Sequence, residues 1–253
     1  MTYRLGIQLY SVKEAAEADL LDTIRRVGKM GYDGVEFAGF FGHAVSDIRR
    51  VMREAGVQAA GSHVPYDQLK SSRLMEILDD HRELGCSLVI CPYLEEHQRR
   101  KASDYRLVAA ELNRIGEACN QAGITFGYHH HDFELADQGG ITGLEILMEE
   151  THPQWVKLEL DVFWAVYMGR SPLQLLEKYG NRITAIHMKD LTQMEGQKIS
   201  TEIGRGEIDP AEIVEAAQSL AIPWVIVEQE HFEQDPMMAA QENARRMRPL
   251  MSR

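Results

Sequence analysis

The chain has 253 residues, 44% of them hydrophobic and 26% charged, enough to build one sizeable core. Lys and Arg number 27 against 39 Asp and Glu, and the resulting formal charge of −12 argues against a surface made for nucleic acid or anionic lipid and for a small-molecule partner. No apolar run approaches the ~18 residues of a membrane span and the N-terminal stretch holds charges in place of a signal-peptide core, so a soluble, cytoplasmic chain is expected. The three cysteines, Cys86, Cys91 and Cys119, form no C-x-x-C and are expected in the core.

In chain order, short apolar runs occur at Arg4–Tyr10, Gly34–Phe37, Val57–Gly61, Leu88–Cys91, Ile124–His131, Val156–Asp161, Ile183–His187 and Trp224–Glu228. Between them the period turns helical, with stripes Leu20/Ile24/Val27, Ile48/Val51/Met52/Ala55, Leu74/Ile77/Leu78/Leu84, Val108/Leu112/Ile115/Cys119 and Ile213/Val214/Ala217/Leu220. Ser171-Pro172 and Asp209-Pro210 read as helix starts, each with a capping-box acceptor (Gln174, Glu212) three residues after the cap. Gly31, Gly56, Gly85, Gly123 and Gly180 read as left-handed helix stops.

Short strands that are apolar on both faces and separated by helices pair in parallel. Eight such units of about 32 residues account for the whole chain, 1–253, as a single (β/α)8 TIM barrel. The alternative, an open doubly wound sheet, lacks its G-x-G-x-x-G after the first run.

A parallel barrel builds its site from the carboxyl ends of its strands. Those ends carry Glu36, His63, His129-His130-His131 with Glu134 beyond, Asp161, His187 and Glu228. Asp161 and Glu228 each interrupt a strongly apolar strand, where an unpaired carboxylate costs several kcal/mol, so each needs a cation or a Lys/Arg partner. His187 and Lys189 supply an imidazole and an ammonium nearby; a purely structural ion-pair cluster is the competing reading. Imidazole and carboxylate without thiolate suit one divalent ion, Mn²⁺ or Zn²⁺ first, with Co²⁺ or Fe²⁺ also compatible. Alternation puts His129 and His131 on one face and turns His130 toward the helices.

Taken in order, Gly34-Val35-Glu36, the run Gly127 to Glu134, Leu158 to Trp164, His187-Met188-Lys189-Asp190, Gly204 to Asp209 and Val227 to Glu230 resemble the xylose-isomerase-like barrel enzymes grouped as sugar phosphate isomerases and epimerases. The resemblance implies one divalent ion held by residues on the fifth to eighth strands. Asp161, His187 and Glu228 match; at the fifth-strand position His129 stands where the family has Glu, so either His129 ligates or Glu134 reaches back from the loop, and His129 is preferred. Trp164 replaces a substrate-binding His common in the epimerases.

The implied activity is isomerisation or epimerisation of a sugar or sugar phosphate through a metal-stabilised enediolate, with Glu228 as one acid/base and Glu134 or His131 as the other. Lys189 either stabilises the oxyanion or pairs with Asp161 or Asp190. Glu36, His63, Trp164 and Arg205 are the expected substrate contacts, with Arg205 in a Gly204-Arg205-Gly206 turn suited to phosphate or hydroxyls, and Phe40, Phe41, Tyr66 and Trp164 as an apolar wall. The runner-up is a metal-dependent lyase of a keto-sugar or keto-inositol, which diverges after the same intermediate. The related DNA-repair endonucleases need more metal ligands and a basic groove, which a charge of −12 argues against, and a non-enzymatic carbohydrate-binding barrel remains as a further alternative, since a fold does not dictate activity. A homo-oligomer is compatible with this composition.

Overall fold

A computed structural model describes residues 3–251. Among the described residues ten strands run β1 Arg4–Gln8, β2 Gly34–Phe37, β3 Gln58–His63, β4 Leu88–Cys91, β5 Thr125–His129, β6 Val156–Asp161, β7 Ile183–Met188, β8 Asp190–Met194, β9 Gln197–Thr201 and β10 Trp224–Val227. Eight of them close into a parallel barrel in the order β1-β10-β7-β6-β5-β4-β3-β2, and helices occupy the connections. The chain is a single (β/α)8 TIM barrel, and the eight barrel strands are the eight apolar runs of the sequence. The stripe residues Leu20, Ile24, Val27, Ile48, Val51, Leu112, Ile115 and Cys119 are buried as expected, as are all three cysteines.

Period-two alternation sorts each strand between two environments. One set faces the helices. The other fills the barrel axis, where Ala60, Leu88, Ile90, Ala185, Trp224 and Ile226 form a separate buried cluster. The Trp224 indole is accommodated because strands β1 and β2 offer glycines beside it: a Cβ at Gly34 would lie 2.6 Å from Trp224 Cη2. Further along the same faces the inward residues become polar, because Gln8 pairs with Glu36 across β1 and β2, His129 with Glu159 across β5 and β6, and Asp161 with His187 across β6 and β7. An apolar plug thus supports a polar layer at the carboxyl ends.

Two expectations need correction. Gly31, Gly56, Gly85 and Gly123 do adopt positive φ, but Gly180 has φ −45° and opens a further helical turn; a Cβ there would meet Leu220 Cδ2 at 2.9 Å, so the glycine answers crowding. Strands β8 and β9 form an antiparallel hairpin not foreseen between the last two barrel strands. Its turn, Glu195-Gly196, has φ of 51° and 81°, the double positive of a two-residue hairpin turn, and Glu-Gly lacks the Asn-Gly or Asp-Gly signature that announces one.

The hairpin braces the barrel mouth. Ser200 Oγ accepts hydrogen bonds from the backbone N–H groups of Glu230 and His231, and Lys198 donates to the carbonyl of Tyr167 at the end of the short helix Val162–Tyr167. Asp190, at the hairpin base, is fully buried and accepts from the backbone N–H of Leu191, Gly204, Gly206 and Ile208 at 2.8–3.1 Å.

A candidate metal centre at the barrel mouth

Beyond the apolar plug, Glu36, Glu159, Asp161, His187 and Lys189 are essentially without solvent exposure, and His129 and Glu228 are buried beside them. Four carboxylates confined in this volume require compensation. Two overlapping donor sets answer it: His63, His129, Glu159 and His187 on the barrel side, and His129, Asp161, His187 and Glu228 on the mouth side. Within each set the donor atoms lie within 4.8 Å of one another, a separation that a divalent ion can span.

The mouth-side set is the one expected from the sequence, and the partners of its atoms test whether an ion fits there. Asp161 caps the helix Val162–Tyr167: its Oδ1 accepts from the backbone N–H of Trp164 at 3.0 Å, while Oδ2 is buried with no hydrogen-bond donor. That oxygen lies 3.8 Å from Lys189 Nζ and 4.0 Å from His129 Nε2. Glu228 Oε2 is 3.1 Å from His187 Nδ1 and 3.2 Å from Lys189 Nζ. A lone carboxylate oxygen facing two ring nitrogens and a second carboxylate matches the donor chemistry of Zn²⁺ or Mn²⁺.

Electrostatics follow from burial and neighbours. Burial pushes the Asp161 carboxyl up to about 6 against the pull of Lys189. Burial also acts to raise Glu228, but Lys189 and His187 outweigh it and hold the group well below the ordinary carboxylate range. Burial opposes charge on His63, yet Glu36 and Glu159 raise it to about 9. His131 is driven down to about 3 by burial and by Lys189, so its imidazole is neutral at physiological pH.

The remaining expected site residues divide into two groups. His63, His131 and Trp164 line a cavity of about 690 Å³ with His129, Glu228 and Glu230. His131 Nδ1 and Trp164 Nε1 are buried without a protein partner, two polar atoms left for a ligand. Lys189 pairs with Glu228, Asp161 and Glu230 and lies 5.0 Å and 5.1 Å from the ring centroids of Phe163 and Trp164; Asp190 instead takes the backbone N–H groups, which settles the pairing left open by sequence. Glu36 is fully buried and not among the cavity-lining residues, bonded to Gln8, His187 and His63.

Glu134 is not brought to the donor sets. Its Oε1 accepts from the Tyr128 hydroxyl at 2.6 Å and its Oε2 from the backbone N–H of His131 at 2.8 Å; Tyr128 alternates with His129 and so belongs to the opposite face of β5. Arg205 is likewise not among the cavity-lining residues and pairs with Glu202 at 3.4 Å, while the N–H groups of its Gly204 and Gly206 neighbours are spent on Asp190. The backbone N–H groups of Gly204, Arg205 and Gly206 are thus all engaged within the protein. Of the expected aromatic wall only Trp164 lines the cavity, where Tyr10, Tyr93 and Phe133 take the place of Phe40, Phe41 and Tyr66. His130 turns away as expected, its Nε2 accepting from the backbone N–H of Asp161 at 3.1 Å.

Sequence reasoning missed Gln8, Glu159 and Glu230. The signal for Glu159 was present: in Val-Lys-Leu-Glu-Leu-Asp it stands two residues before Asp161 and shares its face.

Burial of Glu134 raises its carboxyl to about 8. Because the folded value exceeds the ordinary 4.5, its stabilising contribution is complete below the lower value and is lost as pH rises through the upper one. Urea unfolding of the wild type should therefore lose on the order of a few kcal/mol relative to Glu134→Gln between about pH 5 and 8. Parallel curves for the two proteins would refute this.

The profile of the xylose isomerase-like TIM barrel matches residues 24–250, nearly the whole barrel. The chain belongs to that family. It is 25% identical over 257 aligned residues to the inosose dehydratase of Geobacillus kaustophilus (strain HTA426), covering 86% of this chain and 81% of the relative. A sugar phosphate isomerase/epimerase from Parabacteroides distasonis superposes with TM-score 0.81 at 25% identity, covering 99% of this chain and 96% of the other. The IOLI protein, solved with a bound zinc atom, shares the fold with TM-score 0.76 at 16% identity and 98% coverage of both chains. No helix among the described residues is long and apolar enough to cross a membrane.

Proposed function

We propose that this family member is a divalent-metal-dependent enzyme that removes a proton beside the carbonyl of an unphosphorylated keto-polyol or keto-sugar and then expels water. The observation that carries the reading is the mouth-side set His129, Asp161, His187 and Glu228, converging at the floor of the cavity with Asp161 Oδ2 unpartnered. An ion held there would polarise the substrate carbonyl and acidify its neighbouring C–H.

The chain's own groups divide the remaining work. Glu228, kept ionised by Lys189 and His187, is the base for the C–H proton. Lys189, clamped by three carboxylates, faces developing negative charge with its ammonium. Tyr10, Tyr93, Phe133 and Trp164 supply apolar surface for the ring and narrow the access of water. Among the described residues lining the cavity, Arg99 is the one Arg or Lys, and it already donates to Leu94 O and Tyr93 Oη; His63 is raised to about 9 but is held by Glu36 and Glu159, whereas Asp132, Glu228 and Glu230 are acidic. That balance favours a neutral substrate over a phosphate dianion.

Elimination is preferred to epimerisation because an epimerase needs bases on both faces of its substrate. With His129 at the fifth-strand position, Glu228 is the one carboxylate in the mouth-side set besides the helix-capping Asp161. The inosose dehydratase relative supports the same reading. His131 favours the second reading, isomerase or epimerase, since its neutral ring with an unpartnered Nδ1 lines the same cavity.

Incubating the metal-loaded protein with a panel of keto-inositols and keto-sugars in D₂O separates the two. Loss of 18 mass units from a consumed substrate supports elimination; deuterium in an unchanged-mass skeleton, or in a stereoisomer, supports epimerisation. Hydride transfer, with neither water loss nor solvent deuterium, would overturn both.

A further inference from the structure

The barrel-side donor set is unexplained by the proposed chemistry, because its carboxylate, Glu159, is fully buried and, like the neighbouring Glu36, is not among the cavity-lining residues. His129 and His187 each belong to both sets, and they do so through opposite nitrogens. His129 directs Nδ1 to Glu159 Oε2 at 3.0 Å and Nε2 toward Asp161 Oδ2 at 4.0 Å. His187 directs Nε2 to Glu36 Oε2 at 2.7 Å and to Glu159 Oε2 at 3.2 Å, and Nδ1 toward Glu228 at 3.1 Å.

We propose that Glu159 and Glu36 are positioning residues that lock His129 and His187 in opposite tautomers, Nδ1–H for His129 and Nε2–H for His187. The inference rests on the metal reading above. Glu159 and Glu36 accept from these rings, so the nitrogen facing each carries the hydrogen; His187 also faces Glu228 through Nδ1, and an ion shared by Glu228 and that nitrogen would leave the ring hydrogen on Nε2, because a neutral imidazole with one N–H keeps its lone pair on the other nitrogen. In both rings that other nitrogen is the one facing the mouth-side set. Each carboxylate is itself held by a further donor. Glu159 Oε2 also accepts from His63 Nε2 at 2.9 Å, and Glu36 Oε2 also accepts from Gln8 Nε2 at 2.8 Å. Gly61 leaves room for this arrangement, since a Cβ there would lie 2.4 Å from Glu36 Oε1.

The strand order makes the pairing possible. His129 and Glu159 are register partners on β5 and β6, so one strand supplies a ligand and its neighbour the group that orients it. Two residues on, Asp161 of the same β6 face reaches the mouth-side set, and it is the register partner of His187. One alternating strand therefore serves both tiers.

Cobalt(II) titration of the chelator-stripped full chain, followed by visible absorbance and chelator competition, tests the inference. The wild type is expected to take up one equivalent, Glu159→Ala to bind about 10- to 100-fold more weakly, and Glu159→Gln to recover most of the loss. Gln keeps an oxygen to accept the His129 Nδ1–H, and its amide nitrogen takes the place of Oε1, which has no partner. Thermal melts run beside the titration identify misfolded variants, and ¹⁵N imidazole spectra of the zinc-loaded wild type give a readout independent of any variant. Those spectra should show a protonated Nδ1 on one of the two ligand rings and a protonated Nε2 on the other.

Wild-type affinity in Glu159→Ala, a Gln variant no better than Ala, or the same protonated nitrogen on both rings would overturn the inference. So would two equivalents of cobalt with the second lost in Glu159→Ala, which would make the barrel-side set a second ion site. A wild type that takes up no cobalt would instead overturn the metal reading, and the inference with it.

Discussion

Glu228→Gln is expected to slow solvent-deuterium exchange into the keto substrate by about 10³-fold, the range lost when a positioned acid or base is removed. The side chain keeps its size and can still accept from Lys189, but the charge that Lys189 and His187 stabilise disappears. Asp161→Ala should fail at an earlier stage. It deletes the unpartnered Oδ2 and also the cap of the helix that carries Trp164, so metal content should fall from one equivalent toward zero before any kinetic comparison is made. Glu134→Gln should leave the exchange rate essentially unchanged, because both of its carboxylate oxygens are engaged away from the cavity. Exchange and metal analysis on the three variants together separate the roles. Retained metal in Asp161→Ala, or undiminished exchange in Glu228→Gln, would refute the assignment.

Asp190→Ala is expected to destabilise the protein by roughly 3 kcal/mol or more, because it removes the acceptor of four backbone N–H groups at once, each costing about 1–3 kcal/mol if left buried and unpaired. Water can reach part of this loop and will offset some of the loss. Asp190→Asn should fall between the two, since one amide oxygen serves fewer donors and the amide nitrogen faces the rest. Gly206 allows no repacking to compensate: a Cβ there would lie 2.1 Å from the carbonyl oxygen of Leu191. Because the same loop abuts the hairpin whose Ser200 holds the backbone of Glu230, the variant should also loosen the cavity rim. Urea denaturation measures the first effect, and proteolysis within 191–208 the second. A loss below ~1 kcal/mol would show that the turn is satisfied by solvent.

These expectations differ in where their information lies. That Asp161 and Glu228 need a partner was legible in the sequence, because a carboxylate at the end of an apolar strand is anomalous wherever that strand finally packs. The roles of Glu134 and Arg205 were not legible, since a residue in a loop carries no period to say which way it points. Glu134 follows the strand by five residues and is captured by Tyr128 on the helix side; Arg205 flanks a turn whose donors Asp190 consumes. Glu159 occupies the middle ground: its face was implied by alternation, but its importance depended on which residues of the neighbouring strands shared its level.

The barrel, its eight strands and the inward turn of His129, Asp161, His187 and Glu228 are consequences of local periodicity, and periodicity is a property of the chain by itself. The partition of the polar layer into two tiers, the opposite nitrogens presented by His129 and His187, and the hairpin over the mouth are settled only on closure. Strand register decides which side chains share a level, and register between segments 30 to 150 residues apart is set by how all eight strands pack together.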